Sequence, residues 1–155
     1  MISLAELTQT TLTDRQHDIL DIEQSAFPTP WSLNAFFTEL ERPMSHLWIA
    51  LEDGHVRGYI CFWIVAREIH LMNLAVHSLW RRKGVGRRLF RKMIEIGTIH
   101  KTECVYLEVR PSNFAARAFY NEAGFRETGR RPGYYDDTHE DAIIMAMPLT
   151  PEPAQ

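Results

Sequence analysis

Asn73-Leu74-Ala75-Val76-His77-Ser78-Leu79-Trp80-Arg81-Arg82-Lys83-Gly84-Val85-Gly86-Arg87 reads as the end of a strand, a basic glycine loop and the start of a helix. The strand begins near Glu68 and is rich in apolar residues. The helix runs from Gly84 to His100, with Val85, Leu89, Met93, Ile96 and His100 along one stripe. A helix that starts in this way offers unpaired backbone N–H groups and a partial positive charge. Glycines let that backbone approach an anion closely, which suits a pyrophosphate. Arg82, Lys83, Arg87, Arg88, Arg91 and Lys92 add positive charge on the same turns. No Gly-Lys-Ser/Thr follows, so this is not a Walker loop, and the third glycine of a dinucleotide fingerprint is missing. Read alone, the loop is equally compatible with a solvated basic helix start. A nucleic-acid patch is disfavoured, because no aromatic residues interleave the basic ones.

Working outward, Asp14 to Phe27 has a helical period with Thr13 as its N-cap. Phe27-Pro28-Thr29-Pro30-Trp31 ends that helix, since two prolines cannot continue it. Ser32 caps a second helix that carries Leu33, Phe36, Phe37 and Leu40. His46 to Glu52 and Val56 to Ala66 read as strands joined at Asp53-Gly54, a hairpin turn signal. Glu68 to Val76 is the third strand. Beyond the long helix, Glu103 to Val109 is a strand, and Ser112-Asn113 opens a helix that Gly124 closes. Phe125 to Thr128 and Ala142 to Pro148 are the last strands. Hairpins come first and βαβ units follow, which predicts an α/β fold with a mixed sheet and helices on its faces. The expectation is one domain over residues 1–149 and a frayed polar tail over 150–155.

A chain of 155 residues with 45% hydrophobic and 24% charged residues has the balance of a soluble globular protein. Its net charge of -3 is too small to draw nucleic acid in bulk. Cys61 and Cys104 lie far apart, with no zinc-ligand spacing around either, and read as small apolar residues in a reduced, cytoplasmic setting. The seven histidines form no metal pattern, so no metal is expected. Met1-Ile2-Ser3-Leu4 does not open a signal peptide, and the longest apolar run, Tyr59 to Ala66, is too short to span a membrane.

With these motifs in place, Arg81-x-x-Gly84-x-Gly86 resembles the Gln/Arg-x-x-Gly-x-Gly/Ala loop of the GNAT superfamily of N-acetyltransferases. The likeness extends over most of the chain. Phe27 to Ser32, Leu107-Glu108-Val109-Arg110-x-Ser112-Asn113, Ala118-Phe119-Tyr120-x-x-x-Gly124-Phe125, Arg131 to Tyr135 and Glu140 to Met145 resemble, in the same order, the branch of that family that acetylates a ribosomal-protein alanine. Pro132-Gly133 departs from the pattern just before the tyrosine pair. The resemblance implies the GNAT fold, with a mostly antiparallel sheet, and acetyl-CoA as co-substrate. It places the pyrophosphate on the loop amides of Arg82, Lys83, Gly84, Val85, Gly86 and Arg87. The acetyl-pantetheine arm would lie beside Leu74, Ala75 and Val76, with Asn113 as a further contact. The implied acceptor is the N-terminal alanine of a small-subunit ribosomal protein, with neither nucleic acid nor a membrane as a direct partner.

Acetyl transfer to an amine needs a base for the ammonium, donors for the developing oxyanion and a proton for the departing thiolate. Alternation puts Tyr106 and Glu108 on one face of their strand and Leu107 and Val109 on the other. A carboxylate in an apolar strand is costly unless paired or used. Glu108 is therefore either a general base, direct or through a water, or the partner of an arginine such as Arg110 or Arg117. The resemblance favours the base. Tyr120, protonated at neutral pH with a phenol pKa of about 10, is by resemblance the general acid. The oxyanion donor is expected to be a backbone N–H near Val76, freed by an interruption of strand pairing. Phe27, Trp31, Tyr134 and Tyr135 are candidates for the acceptor groove, and Glu23, Asp136 and Asp137 for attraction of a basic peptide end. Two other readings stay open: a family member acting on a small amine or lysine, and an acyl-CoA-binding module without turnover.

Overall fold

The structure is a computed structural model, and it describes residues 1–149. The expected tail at 150–155 lies outside the described residues. The chain runs β1 (Ser3–Glu6), α1 (Gln9–Ala26), α2 (Leu33–Leu40), β2 (Ser45–Glu52), β3 (His55–Val65), β4 (Glu68–Val76), a short 3-10 turn (Ser78–Trp80), α3 (Val85–Ile99), β5 (Cys104–Val109), α4 (Phe114–Ala123), β6 (Arg126–Arg131) and β7 (Ala142–Pro148). Asp53 and Gly54 both take positive φ, 52° and 76°. That geometry suits a two-residue hairpin and folds β3 back on β2. The strands form one sheet in the order β1-β2-β3-β4-β5-β7-β6. Every neighbouring pair is antiparallel except β4 and β5, which the α3 crossover makes parallel.

Two apolar cores form, each with its own helices. Val85, Leu89, Phe90 and Met93 of α3 and Tyr120 of α4 pack with Ile60, Phe62, Ile69 and Leu107 of the sheet. Leu12, Ile19 and Ile22 of α1 and Phe36 of α2 pack with Ile49, Tyr59 and Ala75 in the other cluster. The sheet is therefore covered on both faces, as a mixed α/β sheet must be. Gly97 brings α3 close to β4, because a Cβ there would collide with the Ile69 side chain. Among the described residues no helix is long and apolar enough to cross a membrane.

Three details depart from the sequence reading. Helix α1 starts at Gln9, and its N-cap is Thr8, whose hydroxyl accepts from the Thr11 N–H at 3.2 Å. Thr13 lies inside the helix and donates its hydroxyl to the Gln9 carbonyl. The backbone kinks at Arg15 (φ -120°, ψ 16°), so the apolar period that begins after Thr13 marks the part beyond the kink. The edge strand β1 pairs with β2 from Ser3↔Leu51 to Glu6↔Trp48, and Ser3-Leu4-Ala5-Glu6 does not alternate apolar with polar residues. Strand β6 continues to Arg131 because a polar edge strand, exposed along most of its length, carries no apolar signal either.

Candidate active site

The parallel pairing of β4 and β5 runs from Glu68↔Cys104 to Leu71↔Leu107 and stops there. Both strands continue, β4 held by β3 as far as Val76 and β5 held by β7 as far as Val109. A gap therefore opens between Met72–Val76 and Glu108–Val109. The His77 N–H donates to the Arg57 carbonyl at 2.8 Å. Antiparallel alternation then turns the Ala75 N–H toward β3 and leaves those of Leu74 and Val76 facing the gap. The Val76 carbonyl is on that side too, accepting from Arg81 Nε at 3.3 Å. Of the amides at Ala75 and Val76, alternation leaves only that of Val76 turned toward the gap.

Helix α3 begins beside the same gap. Gly84 is its N-cap, in the left-handed region (φ 82°), and no side chain caps the helix. Arg88 is the first residue whose N–H returns to a carbonyl, that of Gly84 at 3.0 Å. The N–H groups of Val85, Gly86 and Arg87 therefore have no intrahelical partner. A Cβ added at Gly84 would meet nothing within 4 Å, so the turn is open on its outer side. A Cβ at Gly86 would lie 3.6 Å from the Val76 side chain, which sets the helix start against the end of β4. Arg82, Lys83 and Arg87 are exposed around it. Lys83 reaches over the Trp80 ring at 5.1 Å, and Arg87 faces Glu122 at 3.6 Å. Free amides, a left-handed glycine and exposed cations fit a diphosphate whose attached arm enters the gap.

At the mouth of the gap lies a cleft of about 440 Å³ whose walls include Trp31, His70, Met72, Tyr106, Glu108, Arg131, Tyr134 and Tyr135. Three of the four aromatic candidates thus share a cavity with Glu108. Phe27 does not line it. It caps the end of α1 and packs into the α1–α2 core instead. Glu108 is 29% exposed, and its Oε1 lies 3.4 Å from Nε of Arg131. The arginine beside it is therefore neither Arg110 nor Arg117. Arg110 grips Asp137 at 2.7 Å and stacks over Tyr135 at 3.9 Å, while Arg117 donates to the Pro111 carbonyl.

Tyr120 is 9% exposed, edge-on to Phe119 and Phe125 with ring centroids 5.6 and 5.5 Å away. Burial, and then the neighbouring Tyr135, push its phenol well above the usual range. Tyr135 is pushed up to about 12 by burial and then by the nearby Glu108 carboxylate. Tyr135 therefore sits within electrostatic reach of both Tyr120 and Glu108. Asn113 caps α4, its Oδ1 accepting from the Ala116 N–H at 3.2 Å.

The acidic residues behave differently from one another. Glu23 is only 1% exposed, so it is withdrawn from any incoming peptide charge. Asp137 is committed to Arg110 and to the Thr29 hydroxyl at 2.9 Å. The cleft also gains His70, Met72 and Arg131, which the sequence reading did not single out. His70 and Met72 were within reach of it. They share one parity on β4, and His70 pairs with Tyr106 in the parallel register.

Comparison with known proteins agrees with this geometry. Residues 16–125 match the family described as Acetyltransferase (GNAT) family. The [ribosomal protein bS18]-alanine N-acetyltransferase of Escherichia coli (strain K12) is 34% identical over 152 residues, covering 97% of this chain and 99% of its own. Its Salmonella typhimurium counterpart is 37% identical over 131 residues, covering 83% of this chain and 88% of its own. The crystal structure of the ribosomal-protein-S18-alanine N-acetyltransferase from Escherichia coli superposes with a TM-score of 0.84 at 32% identity, over 100% of this chain and 99% of that one. Members of the matching family use acetyl-CoA as co-substrate. Motif order, a mixed sheet parted between its two parallel strands and an open helix start at the parting lead to one conclusion: the chain belongs to the acetyltransferase (GNAT) family.

Proposed function

We propose that the chain transfers the acetyl group of acetyl-CoA to the α-amino group of a protein N-terminus in the cytoplasm, with the N-terminal alanine of ribosomal protein bS18 as its acceptor. The observation that carries this reading is the cleft in which Glu108 shares walls with Trp31, Tyr134 and Tyr135 at the mouth of the β4–β5 gap. The named activity of the Escherichia coli and Salmonella relatives supports it. No nucleic-acid or membrane partner enters it.

The diphosphate of acetyl-CoA sits on the free amides of Val85, Gly86 and Arg87, with the Gly84 turn and the side chains of Arg82 and Lys83 around it. The pantetheine arm runs along Leu74, Ala75 and Val76, and the Asn113 amide NH2, not needed for capping, faces the arm. The acceptor arrives largely as an ammonium, since an α-amine with pKa about 8 is only about one-tenth free at pH 7. Glu108 removes a proton, directly or through one water. The nitrogen lone pair attacks the thioester carbon, and the backbone N–H of Val76 receives the developing oxyanion. As the C–N bond stays and the C–S bond breaks, Tyr120 gives its proton to the CoA sulfur, and its phenolate takes the second proton lost by the nitrogen, which leaves a neutral amide and restores the phenol. The raised phenol keeps that proton available at neutral pH.

The test is mass spectrometry of peptides beginning Ala-Arg, incubated with the protein and acetyl-CoA, beside the same peptides blocked at the N-terminus and beside free polyamines. The expected product carries one acetyl group on the α-amine. Acetylation of the polyamines or of blocked peptides, with the free N-terminus untouched, overturns the reading.

A further inference from the structure

Glu23 lies in the last turn of α1 and is almost wholly withdrawn from water. Three donors from three separate parts of the chain converge on its carboxylate. The Tyr59 hydroxyl of β3 and Asn73 Nδ2 of β4 donate to Oε1, the latter at 3.1 Å. The backbone N–H of Trp31 donates to Oε2 at 3.1 Å. The Glu23 backbone carbonyl also accepts from the Phe27 N–H at 3.1 Å. One residue thus holds both ends of Phe27-Pro28-Thr29-Pro30-Trp31. Two of those five residues are prolines and have no N–H to give. The Trp31 amide is one of the few donors by which the segment can dock, and it is spent on Glu23.

An apolar side chain would pack α1 against the sheet at less cost than a buried carboxylate, whose burial pushes its protonation upward against the pull of Tyr59 and Trp31. What only an acceptor with two oxygens supplies is a fixed relation between its donors. On one side stands Trp31, a wall of the cleft. On the other stands Asn73, which leads directly into Leu74, Ala75 and Val76. We propose that Glu23 is a positioning residue that sets the acceptor wall at Trp31 against the strand that presents the thioester. This rests on the reading of Trp31 as part of the acceptor cleft. Glu23 touches neither substrate; it acts through Trp31 and Asn73.

The test compares Glu23→Gln, Tyr59→Phe and Trp31→Ala in the full chain, measuring melting temperature, acetyl-CoA Kd, and kcat and KM for a peptide beginning Ala-Arg. An amide offers an acceptor to only one side, so Glu23→Gln leaves either the Trp31 N–H or the Tyr59–Asn73 pair facing an NH2. The expected result is a peptide KM raised roughly ten-fold, with acetyl-CoA Kd unchanged. Tyr59→Phe removes a bond to the same carboxylate but leaves the Trp31 tie, so it lowers the melting temperature without moving KM. A Glu23→Gln protein that melts earlier yet keeps the parent KM overturns the proposal while leaving the cleft intact. An unchanged KM in Trp31→Ala overturns the cleft reading itself. If Glu23→Gln does not fold, Glu23→Asp, which keeps the charge and shortens its reach, carries the same expectation and the same contrary result.

Discussion

Leu71 and Leu107 form the last parallel pair between β4 and β5, and the sheet is open from that point on. The Val76 amide, Glu108 and the start of α3 lie around this one break in the ladder. It leaves the Val76 N–H, which alternation turns that way, without a β5 partner, sets Glu108 at the lip and lets the start of α3 adjoin the gap through Gly86 and Val76. A fully paired ladder would have filled these backbone positions with hydrogen bonds.

Replacing Glu108 by Gln removes the proposed base and keeps the shape of the cleft. Acetyl-CoA affinity is expected to stay the same, while kcat near neutral pH falls by about 10²–10⁴. Steady-state kinetics together with calorimetric titration of the coenzyme check this. A small loss of kcat places the base elsewhere.

Tyr120→Phe keeps the ring against Phe119 and Phe125 and removes only the hydroxyl. The melting temperature is expected to hold, and kcat to fall by about ten-fold or more as the thiolate leaves without its proton. An unaltered rate removes Tyr120 from the chemistry.

At Gly84 two effects are separable. The left-handed φ of 82° penalises any side chain, by about 1–2 kcal/mol. The space around it is empty of protein atoms, so the fold survives. Gly84→Ala and Gly84→Val share the backbone cost, but the larger side chain crowds a diphosphate at the turn. The expected order of acetyl-CoA Kd is parent below Ala below Val. Equal Kd values in all three place the diphosphate away from this turn.

Asp137 ties the β6–β7 loop to Arg110 and Thr29, and the Arg110 guanidinium holds its carboxyl down to about 2, with the Thr29 hydroxyl helping. Its folded value lies below the unfolded one of about 3.9. The stabilisation is therefore complete above the unfolded value and is lost as pH falls through the folded one. Urea denaturation of the parent and of Asp137→Asn is expected to differ by a constant amount above about pH 5, by a shrinking amount below it, and to converge only as pH falls through about 2. A difference that grows toward low pH contradicts the assignment.

The strongest local signals survived into the structure because each rests on a local physical demand. Gly84 supplies the left-handed N-cap of α3, Asp53-Gly54 the hairpin turn, and Ser32 and Asn113 cap their helices through their side chains. What stayed hidden depends on distant partners. Arg131 reaches Glu108 across β7, since Glu108 pairs with Ile144 on one side of that strand and Arg131 with Ala142 on the other. No spacing in the sequence announces such a contact. Glu23 reads as surface charge because carboxylates are seldom buried unless paired, and its donors come from residues 31, 59 and 73. Phe27 reads as a groove residue for its prolines, yet its ring finds the α1–α2 core first.

The most direct test is a crystal structure of the protein with CoA and a peptide beginning in alanine. The diphosphate oxygens are expected within about 3.2 Å of the amide nitrogens of Val85 to Arg87, the sulfur inside the β4–β5 gap beside the Tyr120 hydroxyl, and the peptide amine on the Glu108 side. A sulfur outside that gap, or a peptide end remote from Glu108, contradicts the account.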